Sequence, residues 1–372
     1  MTVYLDHAAT TPLRPEALAA MLPLLTEHFG NPSGLHSVSR RARTAVDEAR
    51  DAMAQALGAS PGEVVFTSGG TEADNLAVAG TLRLHPGRVL CSAVEHHAVL
   101  DACRAAGGEV VPVTPEGVVD LDALASLMGP DVSLVSVMLA NNEVGTVQPL
   151  AEVAEVVRAK APGCLLHTDA VQAFPWLDVA RLASCADLVS VSAHKFGGPK
   201  GVGALVVRGH AQVAPLLLGG GQERGRRSGT HNVAGIVGMA VAAQLAVRER
   251  AEAVGRVAAL RDRLADGLLS RLAGCRETGR RAGKVAGNCH LTFEGVEAEE
   301  LLLLLDQEGL CASAGSACSS GAMEPSHVLE AMGMPPGEAR SAVRFSLGPG
   351  TTEAEVETAL ELVPKAVAHL RG

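Results

Sequence analysis

Aromatic residues and basic charge are both scarce in this chain of 372 residues, and each shortage excludes a class of partner. Only 2% of the residues are aromatic, and the formal net charge is −10. Proteins that bind single-stranded nucleic acid stack the bases on aromatic rings, and surfaces that bind phosphate backbones are basic. We therefore expect no direct nucleic-acid partner. Hydrophobic residues nevertheless make up 47% of the chain, so a core packed mainly with Ala, Val and Leu is expected.

Long apolar runs, a secretory leader and paired cysteine motifs are also missing. The longest apolar stretches, such as residues 132–140, are too short to cross a bilayer, so no membrane partner is expected. The first residues lack the basic and apolar regions of a signal peptide. None of the eight cysteines forms a CxxC pair, which weakens a zinc or thioredoxin interpretation, and we predict no metal site. These absences favour a cytoplasmic protein with free thiols.

The length predicts two domains, and the pattern of apolar residues changes along the chain. Between residues 63 and 209, short apolar runs alternate with amphipathic stretches, which is typical of an α/β domain whose mostly parallel sheet is covered by helices on both faces. Beyond about residue 250 the pattern indicates a smaller α+β unit. We predict a large domain of residues 16–250 and a small domain of residues 1–15 and 251–372.

Individual elements follow from the same periodicity. The predicted strands cover residues 63–68, 87–93, 132–138, 165–168, 187–192, 202–207 and 288–293. The predicted helices cover residues 72–80, 97–106, 121–127, 150–161, 251–272, 297–305 and 352–370.

Polar residues that follow the predicted parallel strands are the first candidates for a site, because ligands bind at the carboxyl ends of such strands. Gly70 and Thr71 open a helix whose N–H groups favour an anion, although Thr71 could simply cap that helix. Asp169 follows the strand at 165–168, where a carboxylate is either functional or a helix cap. Lys195 follows the strand at 187–192 and precedes a glycine-rich turn. In a partly desolvated cleft its amine would be nucleophilic, whereas an isolated lysine more often reaches into water.

Taken together, these residues match the needs of one cofactor. A glycine–threonine helix start with Ser192 and His194 could cradle a phosphate, an aspartate could hold a pyridinium nitrogen, and a lysine could form an imine. These are the requirements of pyridoxal 5'-phosphate.

Residues 192–201 (SAHKFGGPKG) resemble the cofactor-lysine motif of the class V aminotransferases, and within that family the chain resembles the cysteine desulfurases of the NifS/IscS type. The supporting motifs run nearly from end to end in the family's order: 4–11 (YLDHAATT), 30–33 (GNPS), 66–75 (FTSGGTEADN), 95–96 (EH), 141–145 (NNEVG), 167–172 (HTDAVQ), 219–230 (GGGQERGRRSGT), 316–319 (SACS) and 344–348 (RFSLG). The resemblance implies the α/β fold type I of PLP-dependent transferases, with a mostly parallel sheet of the seven-stranded type and a smaller α+β domain.

The resemblance also implies how the cofactor would be held. Lys195 would bind it covalently and then move the α-proton of the substrate, while Asp169 would pair with the ring nitrogen. Gln172 would reach the phenolic oxygen, and His96 would stack over the ring. Without the resemblance, His96 and His97 would be interpreted as a helix start or a weak metal site. The phosphate would be held by Gly70, Thr71, Ser192 and His194, together with Thr230 from the other subunit of a homodimer with shared active sites.

For the substrate, the resemblance implies roles for three further residues. Asn142 and Arg344 would orient L-cysteine, Arg344 by a bidentate contact with its carboxylate. Cys318 would take the sulfur as a persulfide, leave L-alanine as the other product, and pass the sulfur to an acceptor such as an iron–sulfur scaffold protein. The small residues at 312–321 predict an exposed loop, as a reactive thiol requires, although a bystander thiol is the alternative. Ala314 and Ser319 stand where the family often has Ser and Thr.

Several other interpretations remain open. A class V aminotransferase or a selenocysteine lyase would need no persulfide on Cys318. A non-catalytic sulfur carrier or scaffold partner would need no cofactor. A nucleotide-binding dehydrogenase is disfavoured because no GxGxxG motif follows the first strand. The basic cluster at 224–227 lies inside the glycine-rich motif, which favours phosphate-side or intersubunit packing over a polyanion site.

Overall fold

The computed structural model describes residues 2–315 and 326–372. The strands in these ranges are β1 (Val3–Tyr4), β2 (Val64–Thr67), β3 (Arg88–Ser92), β4 (Glu109–Val111), β5 (Val132–Ser136), β6 (Leu165–Asp169), β7 (Leu188–Ser192), β8 (Gly203–Val207), β9 (Cys275–Glu277), β10 (Asn288–Phe293), β11 (Leu310–Cys311) and β12 (Ala342–Ser346). The helices are α1 (Pro15–Thr26), α2 (Ser37–Leu57), α3 (Gly70–Leu84), α4 (His97–Ala105), α5 (Leu121–Leu127), α6 (Leu150–Lys160), α7 (Val179–Leu182), α8 (Val233–Arg271), α9 (Ala298–Gln307), α10 (His327–Ala331), α11 (Pro336–Ala339) and α12 (Glu353–Arg371).

A seven-stranded sheet forms the centre of the molecule, in the order β2-β8-β7-β6-β5-β3-β4. All neighbouring pairs are parallel except those of β8, which runs antiparallel to β2 and to β7. Every residue of β6, β7 and β8 is buried, because helices cover both faces of the sheet. The predicted α/β class and mostly parallel sheet are confirmed. The carboxyl ends of β2, β6 and β7 therefore lie at one edge of the sheet.

A second, antiparallel sheet in the order β12-β10-β9 belongs to the C-terminal part of the chain. The first residues join this part as well, because β1 pairs in parallel with β11. Helix α8 is continuous over 39 residues and packs against both α1 and α2 as well as α12. The proposed domain boundary near residue 250 falls inside this helix and stays a prediction.

The sequence pattern missed the elements that depend on their neighbours. Strand β4 has two exposed residues, Glu109 and Val110, so it shows no buried run and forms only because β3 pairs with it. Strands β9 and β12 pair with β10, one on either side of it. Helix α3 begins at Gly70, two residues earlier than predicted, and only Ser68 and Gly69 separate it from the end of β2.

The glycine-rich segment at 219–230 is fastened to the large sheet by a buried carboxylate. Both oxygens of Glu223 accept hydrogen bonds from Arg50, at 2.6 and 2.8 Å, and Oε2 also accepts the N–H of Phe66. These bonds, with one from His231, lower the pKa of Glu223 to about 2 although burial opposes the shift. Glu223 and Arg224 both have positive φ angles. The hydrogen bonds of Glu223 therefore hold a backbone conformation that residues other than glycine rarely adopt.

The basic cluster of this segment is used within the fold. Arg227 pairs with Glu72 at 2.8 Å, and Arg226 donates to the carbonyl oxygen of Gly62. These contacts lie within the chain and leave less of the cluster for a polyanion, whereas phosphate-side or intersubunit packing stays a prediction. In the part of the chain that the structure describes, no helix combines the length and apolar character needed to span a membrane.

Candidate active site

A cavity of about 250 Å³ opens at the sheet edge where β2, β6 and β7 end. Most of the residues that the sequence singled out line it: Gly70, Thr71, His96, Asn142, Asp169, Gln172, Ser192, His194 and Lys195. Ala9, Asp74, Met138 and Val171 complete the lining. Three of these four lie beside or inside the motifs at 4–11, 66–75 and 167–172, so the motifs could have identified them. Met138 follows β5, and only the position of its strand end could have pointed to it.

One end of the cavity is suited to an anion. Helix α3 has 15 residues, and its first turn, with Gly70 and Thr71, borders the cavity. A Cβ atom at Gly70 would lie 2.9 Å from Cγ2 of Val171, so a side chain there would fill the space in front of the helix. Ser192 and His194 lie on the same wall. Burial and then the charge of Lys195 lower the pKa of His194 to about 4, so its imidazole is neutral at neutral pH.

The cavity lining also carries a buried carboxyl group and an unsatisfied amide. Asp169 is 4% exposed, and its Oδ1 accepts the N–H of Val171 at 2.8 Å. Burial raises the pKa of Asp169 to about 6, against the opposing effect of Lys195. The Oε1 atom of Gln172 is buried with no hydrogen-bond partner. A ligand that brings a protonated ring nitrogen and a further polar group would satisfy both residues.

Lys195 and His96 also line the cavity. A turn of 3₁₀ helix directly after β7 places Lys195, whose Nζ donates to the carbonyl oxygens of Ala8 and Ala9 at 2.5 and 2.9 Å. His96 caps α4, with Nδ1 accepting the N–H of Ala98. Burial, and next the charge of Lys195, lower the pKa of His96 to about 4. At neutral pH His96 is therefore an uncharged ring that can accept a proton.

Arg344 lies next to the cavity, behind Asn142. Its Nη1 donates to the carbonyl oxygen of Asn142 and its Nη2 to Oδ1 of Asp6, both at 2.8 Å. The residue is 2% exposed, and its Nε has no hydrogen-bond partner. A bidentate contact with a substrate carboxylate requires Arg344 to leave Asp6 or to turn its unused N–H groups outward, and that contact stays a prediction. Sequence reasoning missed Asp6, although it belongs to the motif at 4–11.

Among the predicted site residues that the structure describes, Arg344 and Thr230 do not line this cavity. Thr230 is exposed and absent from the lining, so its predicted contact with the cofactor of another subunit stays a prediction. Cys318 lies outside the described residues. A second cavity, of about 350 Å³, meets the first at Gln172 and Lys195. Its walls include Trp176, Leu347 and several prolines, and it lacks the helix start and the buried aspartate that distinguish the smaller cavity.

Comparison with known proteins agrees with this geometry. The family model of the class V aminotransferases matches residues 3–359. Cysteine desulfurase IscS of Dictyoglomus turgidum is 44% identical over 99% of this chain and 95% of its own length. The IscS-like cysteine desulfurase of Mycobacterium tuberculosis is 47% identical over 99% of this chain and 97% of its own length.

Solved structures show the same relationship in three dimensions. A NifS-like protein superposes with a TM-score of 0.92 at 37% identity, covering 99% of this chain and all of the other. A NifS-like protein of Rickettsia africae gives a TM-score of 0.90 at 30% identity over 98% of this chain and 99% of the other. The chain therefore belongs to the class V aminotransferase family and, within it, to the cysteine desulfurases.

Proposed function

We propose that this protein uses pyridoxal 5'-phosphate to convert L-cysteine to L-alanine, with the sulfur taken up as a persulfide on Cys318. The observation that carries the proposal is the meeting of Lys195, buried Asp169 and the start of α3 around one cavity. A primary amine, a carboxylate and an anion site in this arrangement suit the aldehyde, ring nitrogen and phosphate of the cofactor. The unsatisfied Oε1 of Gln172 is an acceptor, and the phenolic O–H of the cofactor would be a donor for it.

When bound, the cofactor supplies an electron sink that stabilises negative charge on the α-carbon of the substrate. Lys195 holds the cofactor and moves the α-proton through its Nζ, which already lies within hydrogen-bond distance of two backbone carbonyls of the cavity wall. Asp169 keeps the ring nitrogen protonated. A positive ring nitrogen beside Asp169 would lower the raised pKa of this carboxyl, so both groups stay charged at neutral pH.

The substrate-side residues orient and deprotonate L-cysteine. His96, neutral at neutral pH, can accept the proton of the substrate or enzyme thiol, and Asn142 and Arg344 orient the amino acid. The thiolate of Cys318 then attacks the sulfur of the substrate, the Cβ–S bond breaks, and a proton from the site completes alanine. The persulfide passes to a sulfur acceptor, for which we propose an iron–sulfur scaffold protein. The described cysteines are all unpaired, which supports a reducing compartment such as the cytoplasm.

The assay that tests the proposal measures alanine and sulfide in parallel after mixing the protein with L-cysteine and a small thiol. We expect the two products in equal amounts and no need for a keto acid. Formation of alanine only when a keto acid is added would favour an aminotransferase. Activity with L-selenocysteine but not with L-cysteine would favour a selenocysteine lyase, and a colourless protein without either activity would favour a non-catalytic partner.

Replacing Asp169 with Asn tests the electronic part of the mechanism. The amide cannot hold the ring nitrogen in its protonated form, so we expect the variant to bind the cofactor but to form alanine about 10²- to 10³-fold more slowly, as for the loss of one electrostatic contact in an active site. Absorbance of the purified protein reports the bound cofactor, and alanine reports turnover. Turnover within a few-fold of the wild type would contradict the role of Asp169.

The proposed homodimer rests on a stripe of exposed apolar residues. Leu18, Leu22 and Leu25 are 45, 51 and 60% exposed, and their spacing of four and three residues places them on one side of α1. Phe29, shortly after the helix, is 74% exposed. Such a stripe on a soluble chain marks an interaction surface. The contact of Thr230 with the phosphate of the other chain, which the resemblance implies, requires such a dimer.

A charge placed in this stripe should separate the subunits. We expect Leu22→Glu to sediment as a monomer and to retain less cofactor, because Thr230 would no longer reach its partner. Leu303→Glu is the matched control, since Leu303 is 60% exposed on α9, away from the stripe. A dimer of unchanged dissociation constant in Leu22→Glu would show that α1 is not the interface.

A further inference from the structure

Glu143 lies at the meeting point of the two chain segments that flank residues 316–325. On the C-terminal side of these residues, the hydroxyl of Ser326 donates to Oε2 of Glu143 at 2.5 Å. The same hydroxyl accepts the N–H groups of Val328 and Leu329, so Ser326 both caps α10 and binds the carboxylate. On the N-terminal side, Gly315 has a φ angle of +89°, and a Cβ atom there would lie 3.1 Å from Oε2 of Glu143. One carboxylate oxygen is therefore bonded to Ser326 and lies close to Gly315.

The turn that presents Glu143 is itself held on several sides. The side-chain oxygen of Asn141 accepts the N–H groups of Glu143 and Val144, and Asn288 donates to the carbonyl oxygen of Glu143. Glu143 is only 3% exposed. Its neighbour in the turn is Asn142, which lines the candidate cavity. The carboxylate of Glu143 thus links Ser326 to a turn that is held by several hydrogen bonds and that forms part of the cavity wall.

Two further contacts bring the same flanks to the site. Ser313 exchanges backbone hydrogen bonds with Arg344, at 2.7 and 3.2 Å. The Nε2–H of His327 donates to the carbonyl oxygen of Glu95 at 2.9 Å, and the His327 ring packs on that of His97 at 4.6 Å between centroids. The flanks are therefore attached beside Arg344 and beside His96, the residues proposed to hold the substrate carboxylate and to accept a proton.

We propose that Glu143 and Ser326 are positioning residues that set where the segment carrying Cys318 leaves and rejoins the site, and so govern the rate at which the thiol meets the substrate sulfur. The inference rests on the proposed function and names residues of this chain that the reaction itself does not touch. Fixing the ends of a segment raises the effective concentration of a group within it at a target near those ends. Loss of the Ser326 attachment should slow sulfur transfer and leave substrate binding unchanged.

Ser326→Asp separates the two roles of the hydroxyl. Its carboxylate can still cap α10, as Asp does at helix starts, but it cannot donate to Glu143 and repels it. Ser326→Thr restores both roles. Thr352→Ala removes a comparable cap, on α12 and away from the cavity, and is the control for lost capping alone.

Three readouts are measured on the cofactor-loaded protein: the absorbance change on adding L-cysteine, the rate of persulfide formation on Cys318 by mass spectrometry, and the rate of Cys318 alkylation by iodoacetamide without substrate. In Ser326→Asp we expect the L-cysteine concentration that gives half of the absorbance change to stay within twofold of the wild-type value. Persulfide formation should be about tenfold slower, and the rate of alkylation should change several-fold. Ser326→Thr and Thr352→Ala should match the wild type.

Persulfide formation and alkylation at wild-type rates in Ser326→Asp would overturn the inference. So would a loss of apparent affinity for L-cysteine as large as the fall in the rate of persulfide formation. If Ser326→Asp does not fold, Ser326→Ala replaces it. Because that variant loses the cap on α10 as well as the bond to Glu143, its rates are compared with those of Thr352→Ala. If the wild type forms no persulfide, the proposed function fails. The alkylation rates then decide the inference alone, because they require no turnover.

Discussion

In a Lys195→Ala variant, we expect alanine formation from L-cysteine to fall by at least about 10³-fold, because a single side chain holds the cofactor and moves the proton. Its Nζ donates to the carbonyl oxygens of Ala8 and Ala9, and no other lysine lines the cavity within the described residues. The purified variant should also lose the yellow colour of a cofactor bound through an imine.

Borohydride reduction of the wild type gives the matching chemical test. It should attach the cofactor irreversibly to the peptide that contains Lys195. Lys200, five residues further along the same motif, is exposed and outside the cavity, so Lys200→Ala is the control variant and should keep both colour and turnover. Recovery of the label on Lys200 would refute the assignment.

The sequence could predict the parallel sheet and the cavity because both depend on local patterns. Strands β6, β7 and β8 are buried and carry apolar residues at most of their positions outside the end of β6. Asp169 is the last residue of β6, and Lys195 comes shortly after the end of β7. Parallel strands bring their carboxyl ends together, so residues distant in the chain could be expected to meet. The order of the strands, with β8 reversed, could not be deduced from those runs.

Contacts between distant polar residues escaped the sequence analysis. Arg344 was expected to be available to a substrate, but its guanidinium is engaged by Asp6, which is 338 residues away. The bonds of Arg50 to Glu223 and of Ser326 to Glu143 also join residues more than 170 positions apart. No periodicity records such a pair, because each partner alone is an ordinary polar residue on its own element.

Cys318→Ala should stop the reaction at a later step than Lys195→Ala does. The candidate cavity lies at the ends of β2, β6 and β7, and none of the cysteines in the described residues line it, so we expect the variant to stay yellow. It should also show the absorbance change on binding L-cysteine. Alanine and sulfide should nevertheless fall by at least about 10³-fold, since the nucleophile that takes the sulfur is missing.

Mass spectrometry of the wild type after treatment with L-cysteine should find one added sulfur on the Cys318 peptide and none on Cys311. Cys311 is the matched control because it lies seven residues upstream and is partly accessible, while its place in β11 is fixed by pairing with β1. Burial raises the pKa of the Cys311 thiol, so little of it is thiolate at neutral pH, and a thiol is a poor nucleophile. Cys311→Ala should therefore keep wild-type turnover. Alanine formation by Cys318→Ala at the wild-type rate would remove the persulfide from the mechanism and favour a lyase that releases the sulfur directly.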